Sequence, residues 1–368
     1  MNPATGPGST LRYLVLLPAL ARPVGGTNVL MWLVEKLNKA GYMAAVLYPS
    51  QDYSYDFKSF AGARYYSPDL DLILRTGFFK RGIWEKARHA IRELPRYKPG
   101  RMGLRSRQKL PIWQPGPEDV LVVSEFMYPE ALSVFGGRRC ILCVQDVFGL
   151  LHARQRSPLG QMGGSGQFEA IFSTSQASAR AARAVFGTSG GQFTLPVCRS
   201  GLTYNPDKKL QIALMPRKRR DETRMLVSLI KAHPVLSQID LVVIDGIPDE
   251  AEVHRLVRES LIFLSFSDRE GFGLPPAEAM ATGSLVIGYT GVGGEEYFTS
   301  ETGFPIPDRD IIAFIDRLAE VVSLWQVSRT ALDLKRLEAS RFIWSRYNEV
   351  VAEQSLLELW SEIDAKLR

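Results

Sequence analysis

Short, almost continuously apolar runs alternate along the chain with stretches that have helical periodicity. Arg12–Leu17 and Leu261–Phe266 are runs of the kind that form parallel strands buried on both faces. After the first run, Leu30, Leu33 and Leu37 fall on one face of a helix predicted from about residue 27 to residue 40. Strands that alternate with helices predict an α/β fold with parallel sheets.

This alternation occurs twice, with an interruption near the middle of the chain. The segment Leu195–Lys209 contains two prolines and a glycine and has the character of an interdomain linker. We therefore predict a Rossmann-like domain over residues 1–200 and a second one over residues 201–341, followed by a last helix from about Phe342 to Leu367. With 368 residues, of which 45% are hydrophobic, the chain is long enough to bury two cores.

The most specific motif is the segment Ser265–Gly283. After a predicted strand, Gly271 and Gly273 allow the backbone to approach a ligand closely. A proline pair then suits the first turn of a helix, predicted from about Pro276 to Ala281. The N-terminus of such a helix presents unpaired N–H groups and a positive dipole end, which favour an anion.

Two glutamates flank this turn. Glu270 ends the loop that follows the predicted strand, and Glu278 is expected in the first turn of the helix. We therefore expect both carboxylates to face one ligand. A diphosphate on the helix amides, with the carboxylates accepting hydrogen bonds from sugar and ribose hydroxyls, fits this arrangement. The alternative is an ordinary strand–turn–helix in which Glu278 only complements the helix dipole.

The segment resembles the Glu-x7-Glu signature of the retaining glycosyltransferases of family 4, which have the GT-B fold. The resemblance implies two Rossmann-like domains whose parallel sheets face a central cleft, with a C-terminal helix that crosses back to the N-terminal domain. It further implies that Glu270 and the Gly-Phe-Gly amides meet the sugar and phosphates of a nucleoside-diphosphate-sugar, and that Glu278 binds the ribose. The donor-binding residues implied in this way are Gly271, Phe272, Gly273, Leu274 and Glu278.

A cluster of four cations, Arg217–Arg220, follows the first predicted strand of the second domain. Cations at this position neutralise a departing diphosphate, although basic clusters also occur on solvated surfaces. The family has an Arg and a Lys here that grip the donor diphosphate. Their spacing is compressed in this chain, and we favour Arg217 and Lys218 among the four. With Glu270, they are the predicted catalytic residues.

The N-terminal half contributes weaker candidates for the acceptor side of the cleft. Gly25 and Gly26 open the first helix, as a phosphate or acceptor cradle or as a simple turn. Gln145 and Asp146 end a predicted strand, where many family members have His followed by Asp. Gln forms hydrogen bonds with a sugar hydroxyl but cannot carry a proton, and a pair that only caps a helix is the alternative. The segment 293–296 is a further candidate.

These parts suit a front-face substitution with retention, in which the leaving phosphate oxygen takes the acceptor's proton and no separate general base is needed. The sequence offers no Asp-x-Asp for holding a metal ion through phosphates, and its four histidines lack metal-ligand spacing, so we expect no metal and no cofactor beyond the donor substrate. A nucleotide-sugar epimerase or phosphorylase on the same fold, and a non-catalytic glycan- or membrane-binding scaffold, are the alternatives.

Positive charge is concentrated in one segment. Residues 75–109 contain twelve Lys or Arg and two acidic residues, whereas the whole chain has a net charge of +6, so the remainder is net acidic. Such a segment attracts an anionic membrane surface, a lipid diphosphate or an acidic glycan, unless it is merely a solvated face. No nucleic-acid-binding motif accompanies it, so we expect no nucleic-acid partner.

The remaining features bear on location. No apolar run is long enough to span a membrane, and no signal peptide is recognisable. Cys140 and Cys143 lie inside an apolar strand without a second pair, which argues against a zinc site and, with only three cysteines, against a disulfide framework. We expect a cytoplasmic enzyme of surface-polysaccharide or glycolipid synthesis, peripheral at the inner face of the membrane if the basic segment binds lipid.

Overall fold

The computed structural model describes residues 10–18, 25–51, 60–76, 109–156, 165–198, 202–216, 218–247 and 249–368. These residues form two parallel sheets with helices packed against them. The strands are β1 Arg12–Leu16, β2 Met43–Tyr48, β3 Arg64–Tyr66, β4 Asp119–Ser124, β5 Cys140–Val144, β6 Ala170–Ser173, β7 Gly191–Gln192, β8 Lys209–Leu214, β9 Asp240–Val243, β10 Ser260–Phe266, β11 Leu285–Tyr289 and β12 Phe304–Pro305.

The helices follow the strands in the order expected of an α/β chain. They are α1 Gly25–Lys39, α2 Pro68–Thr76, α3 Tyr128–Phe135, α4 Val147–Arg156, α5 Gln176–Phe186, α6 Arg220–Ala232, α7 Glu250–Glu259, α8 Leu274–Ala281, α9 Gly291–Gly294, α10 Ile311–Val327, α11 Thr330–Arg346 and α12 Glu349–Leu367. Where the sequence supplies a cap, the helix boundary is sharp. Ser175, for example, accepts a hydrogen bond from the Ser178 amide before α5, and Gly187 ends that helix with φ +76°.

The first sheet has the strand order β3-β2-β1-β4-β5-β6-β7, and the second has the order β12-β11-β10-β8-β9. All their ladders are parallel. Every residue of the inner strands β4, β5 and β10 is buried, because helices cover both faces of each sheet. We refer to the layers around the two sheets as the N-terminal and C-terminal domains.

Each sheet has a point where the chain reverses its direction of strand addition. In the first sheet this point lies between β1 and β4, and in the second it lies between β8 and β10. Ligands of open α/β sheets bind at the carboxyl ends of the strands that flank such a point. The turns that follow β1, β4, β8 and β10 are therefore the positions from which a site would be built.

The last helix returns to the N-terminal domain, as the resemblance implied. From α12, the carboxylate of Asp364 accepts a hydrogen bond of 2.6 Å from the Tyr13 hydroxyl in β1. The Trp360 ring packs edge-on against that tyrosine, with 5.0 Å between the ring centroids. The Lys36 ammonium of α1 pairs with Glu349 and Glu353 at 2.8 and 2.6 Å.

The prediction of one continuous helix from Phe342 to Leu367 is wrong. The helix breaks at Tyr347, and Asn348 caps a new helix by accepting a hydrogen bond from the Val351 amide. The Tyr347 carbonyl instead accepts hydrogen bonds from the amides of Val197 and Cys198, where the chain passes between the two sheets. After the break, Val350 is 75% exposed.

Three short strands were not predicted, namely β3, β7 and β12, each only two or three residues long. The cysteines at 140, 143 and 198 are buried free thiols. Within the part of the chain that the structure describes, no helix has both the length and the apolar character needed to cross a membrane.

Candidate functional site

The loop from β10 to α8 has the turn that the glycines predicted. Gly273 precedes the helix with φ +87° and ψ 73°, a conformation that strains any residue with a side chain. The helix begins at Leu274 rather than at Pro276, with prolines in its first positions. Glu278 consequently lies in the second turn, and the prediction that placed it in the first turn is wrong by two residues.

Gly271 packs tightly against the N-terminal domain. A Cβ atom at this position would lie 1.7 Å from the Gln145 carbonyl oxygen, so only glycine fits. The Ser175 hydroxyl donates a hydrogen bond of 2.6 Å to the Gly271 carbonyl from the N-terminal domain. On the other side, the Gly293 amide donates to the Glu270 carbonyl at 3.1 Å. The backbone of this loop is therefore held from both domains.

Aromatic side chains support the loop from beneath. Phe272 packs against the rings of Tyr297 and Tyr347, with centroid distances of 4.8 and 5.1 Å. The Tyr297 hydroxyl donates a hydrogen bond to the Gly273 carbonyl. Burial raises the pKa of Tyr297 well above its usual value, and the negative charges of Glu270 and Glu278 add to the increase. Both carboxylates of the motif therefore act on the same buried hydroxyl.

Lys218 is the cation that meets the motif. Its ammonium lies 3.0 Å from the Glu270 carboxylate and donates a second hydrogen bond of 3.0 Å to the Arg269 carbonyl. The two side chains of the ion pair are 29% and 26% exposed, so the pair faces the cleft rather than the core. The turn after β8 and the turn after β10 thus meet at the reversal point of the second sheet.

The next two cations of the cluster have structural partners. Arg219 is paired with Glu222, Asp268 and Asp308, and its guanidinium lies 4.7 Å from the centre of the Tyr289 ring. Arg220 forms two hydrogen bonds with the Asp245 carboxylate, at 3.0 and 3.1 Å. These carboxylates neutralise both arginines within the C-terminal domain, whereas Lys218 pairs with Glu270 of the motif. Arg217 lies outside the described residues.

The N-terminal candidates converge on the same loop. Gly25 and Gly26 are the first residues of α1. A Cβ atom on Gly25 would lie 3.0 Å from a methyl group of Leu274, and one on Gly26 would lie 3.2 Å from the Gln145 side-chain oxygen. The Asp146 carboxylate accepts a 2.7 Å hydrogen bond from the Gly149 amide at the start of α4. The structure therefore brings all four candidates to the edge of the cleft, with Asp146 in a capping role.

Sequence analysis missed Glu125, which follows β4. Its side chain is completely buried, and one carboxylate oxygen accepts a hydrogen bond of 3.0 Å from the Gln145 amide. Burial raises the pKa of Glu125 to about 8, and the nearby negative charge of Asp146 contributes. The only signal in the sequence is an acidic residue directly after a buried strand.

A second contact between the domains involves the segment 293–296. The Glu296 carboxylate accepts hydrogen bonds from the Gln176 amide at 2.8 Å and from the Tyr347 hydroxyl at 3.2 Å. Burial raises the pKa of Glu296. Arg180 and Glu295 add an exposed ion pair at 3.5 Å. This segment therefore joins the N-terminus of α5 to the C-terminal domain instead of lining the cleft with free carboxylates.

Among the described residues, no group of three or more His, Cys, Asp or Glu side chains is arranged to hold a metal ion. The basic segment 75–109 lies almost entirely outside the described residues. The described site therefore consists of the Lys218–Glu270 pair, the loop and first turn of α8, Glu278, and the N-terminal turns at residues 25–26 and 145–146.

Solved structures share this architecture over nearly the whole chain. A mutant of Staphylococcus aureus TarM, crystallised with fondaparinux, α-GlcNAc-glycerol and UDP, covers 96% of this chain and all of its own, with a TM-score of 0.61 and 9% identity. The sucrose-phosphate synthase of Thermosynechococcus elongatus covers 96% of this chain and 99% of its own, with a TM-score of 0.62 and 13% identity. The fold is thus that of the GT-B glycosyltransferases.

A match to a known sequence family lies in the C-terminal domain. Residues 221–334 match the family model described as glycosyl transferases group 1. The chain is 31% identical over 117 residues to an α-1,6-glucosyltransferase of Actinobacillus pleuropneumoniae serotype 7, which is 31% of this chain. The match spans 35% of that curated relative, so the chain covers about a third of its length. The family-model match covers the segment that carries the Glu270–Glu278 motif.

Proposed function

We propose that this protein is a glycosyltransferase that moves a sugar, with retention, from a nucleoside-diphosphate-sugar to a glycan or lipid-linked acceptor. The observation that carries the proposal is the Lys218–Glu270 ion pair, which lies 3.0 Å apart beside the first turn of α8. The Lys218 ammonium can bind phosphate groups, and the Glu270 carboxylate can accept hydrogen bonds from sugar hydroxyls. Both lie near the N-terminus of α8, which favours an anion.

The donor would lie along the C-terminal edge of the cleft. Its diphosphate fits the amides of Gly273 and Leu274 and the Lys218 ammonium, because Pro275 and Pro276 have no N–H to donate. Its ribose hydroxyls would donate to the Glu278 carboxylate. The similarity of residues 221–334 to glycosyl transferases group 1 supports this assignment, since that segment contains the whole motif. The UDP named with the TarM mutant supports a nucleoside diphosphate as the leaving group.

Lys218, together with Arg217, would stabilise the negative charge that develops on the departing diphosphate. The departing phosphate oxygen would take the proton of the acceptor hydroxyl on the same face of the sugar, which gives retention without a separate base. Gln145, held over Gly26, would hydrogen-bond a hydroxyl of the transferred sugar. Because cations and helix amides supply the positive charge, we propose that no metal ion takes part.

The acceptor would enter from the N-terminal domain. The sequence of the segment 75–109 favours an anionic acceptor or membrane surface, which suits a glycan or a lipid-linked intermediate. We therefore propose a role in building a surface polysaccharide or glycolipid, with the enzyme peripheral to the cytoplasmic face of a membrane.

A thermal-unfolding panel with UDP, GDP, ADP and dTDP, each free and as its sugar conjugate, tests the proposal. A ligand that binds only the folded protein at 100 times its Kd adds about 2.7 kcal/mol of stability, so one base should raise Tm by several degrees. The matching nucleoside monophosphate is the control, since it lacks the second phosphate. A chain that none of the diphosphates stabilises would be a non-catalytic scaffold, contrary to the proposal.

A further inference from the structure

Glu125 is a buried acid at the floor of the cleft. It directly follows β4 and is 0% exposed. One carboxylate oxygen accepts the hydrogen bond from the Gln145 amide, whereas the other has no hydrogen-bond partner among the described residues. A carboxyl group this deeply buried is costly in its charged form, because burial removes the solvation that favours the charge.

The turn that Glu125 supports is the one that joins the two sides of the cleft. Glu125 accepts from the Gln145 amide, the carbonyl oxygen of Gln145 packs against Gly271, and its side-chain oxygen faces Gly26. The next residue, Asp146, caps α4. A shift of this turn would therefore move both the contact with the loop at Gly271 and the Gln145 side-chain amide, which under the proposed function meets the sugar.

The groups around Glu125 favour its neutral form. From β5, the Cys143 thiol lies within its electrostatic reach, and the turn after β5 contributes the negative charge of Asp146. The helix α4 faces it with Gly149, which carries no charge. Burial, followed by Asp146, raises the pKa of Glu125 to about 8, against interactions with the backbone amides of Gln145, Glu125 and Asp146 that lower it. Burial outweighs these amides and favours the neutral carboxyl.

We propose that Glu125 is a positioning residue that acts in its protonated form, holding the Gln145–Asp146 turn against the donor loop and thereby setting donor affinity. Ionisation would place a second negative charge near Asp146 at a completely buried position. The effect on the donor rests on the proposed function, whereas the protonation of Glu125 does not.

Titration calorimetry with UDP between pH 6.5 and pH 9 tests the role in binding. The affinity of the wild type should be about tenfold weaker at pH 9 than at pH 7, because only about a tenth of the molecules keep the binding-competent protonated form. Glu125→Gln is neutral at every pH, and its amide oxygen retains the bond from Gln145, so its affinity should not change with pH. Glu130→Gln, at another buried glutamate in α3, is the control and should follow the wild type. The same pH dependence in wild type and Glu125→Gln would overturn the role in binding.

Denaturant unfolding without nucleotide provides a test that needs no activity. The folded pKa lies above the unfolded value, so the folded protein binds more protons and the free energy of unfolding falls as pH rises between the two values. The wild type should therefore lose stability relative to Glu125→Gln from about pH 5 to about pH 8. A difference in the free energy of unfolding between the two proteins that stays constant from about pH 5 to about pH 8 would contradict the protonation of Glu125. If UDP fails to bind either protein at any pH and the other diphosphates also fail, the proposed function falls, and this unfolding comparison still decides the state of Glu125.

Discussion

The two sides of the cleft are built in opposite ways. The C-terminal side is essentially one continuous segment, from Glu270 to Glu278, joined by Lys218, and the charges of its ion pair are about a quarter exposed. The N-terminal side is assembled from turns that follow four different strands, and its acid, Glu125, is completely buried. Under the proposed function, the C-terminal side would supply charge to the donor, whereas the N-terminal side would fix where the donor loop lies.

The largest effect should come from removing the cation of the C-terminal side. Lys218→Met keeps an apolar stem of similar length but leaves Glu270 without its partner and the leaving diphosphate without a cation. We expect transfer to slow by about 100- to 1000-fold, as for the loss of one preorganised donor. Arg224→Met, at an exposed cation of α6, is the control and should be near wild type in the same turnover assay. Equal rates for the two variants would contradict the role of Lys218.

A side chain added at Gly271 should break the contact between the two sides of the cleft. In Gly271→Ala, the added methyl group would overlap the Gln145 carbonyl, 1.7 Å away, so the domains must separate or the loop must move. We expect transfer to fall by about 100-fold, because small misplacements of reacting groups have effects of that size. Gly166→Ala is the matched control, since a Cβ there meets no atom within 4 Å. Small-angle scattering should show a larger radius of gyration for Gly271→Ala but not for Gly166→Ala. Transfer at the wild-type rate in Gly271→Ala would mean that the contact with Gln145 is not needed for activity.

Glu278→Ala should affect nucleotide affinity more than chemistry. A hydrogen bond to a charged group contributes about 1.5–3 kcal/mol, so the Kd for the nucleoside diphosphate should rise by about ten- to a hundredfold. The turnover number at saturating donor should change little. Calorimetry measures the first quantity and a saturation series the second, with Glu320→Ala, an exposed glutamate of α10, as the control. An unchanged Kd would rule out the ribose assignment.

The smallest effect should come from the second contact between the domains. Glu296→Gln keeps an oxygen that can accept from the Gln176 amide, so the free energy of unfolding should change by no more than about 1 kcal/mol. Because burial raises the folded pKa of Glu296, the wild type should lose stability relative to this variant as pH rises from about 4.5 through that folded pKa. Denaturant unfolding at several pH values measures the difference. The opposite trend with pH would mean that the carboxyl is ionised in the folded protein.

The sequence predicts the C-terminal side better because its information is local. Nine residues contain the turn glycines, the prolines and both carboxylates, and an apolar strand precedes them. The error in the start of α8 arose because the left-handed turn closes at Gly273, so that Leu274 already has helical geometry. Tertiary contacts decide the rest of the loop, including the ion pair between Lys218 and Glu270.

The geometry of the N-terminal side depends on which strands are neighbours in the sheet, and the strand order cannot be read from the sequence. Glu125 is separated from Gln145 by a helix and a strand, and only the pairing of β4 with β5 brings them together. The strands that were not predicted, β3, β7 and β12, are too short for their residues to show a strand pattern. At the break between α11 and α12, Asn348 is a residue type that caps helices, but apolar residues continue at helical spacing on both sides of it. That spacing favoured one continuous helix.

Hydrogen–deuterium exchange with and without the nucleoside diphosphate that stabilises the protein tests the central claim most directly. If the two sides form one donor site, the ligand should slow amide exchange in residues 270–278 and also in the turn at Gln145–Asp146, more than 100 residues away in sequence. Protection of the C-terminal segment alone, or of neither segment, would contradict a site shared by the two domains.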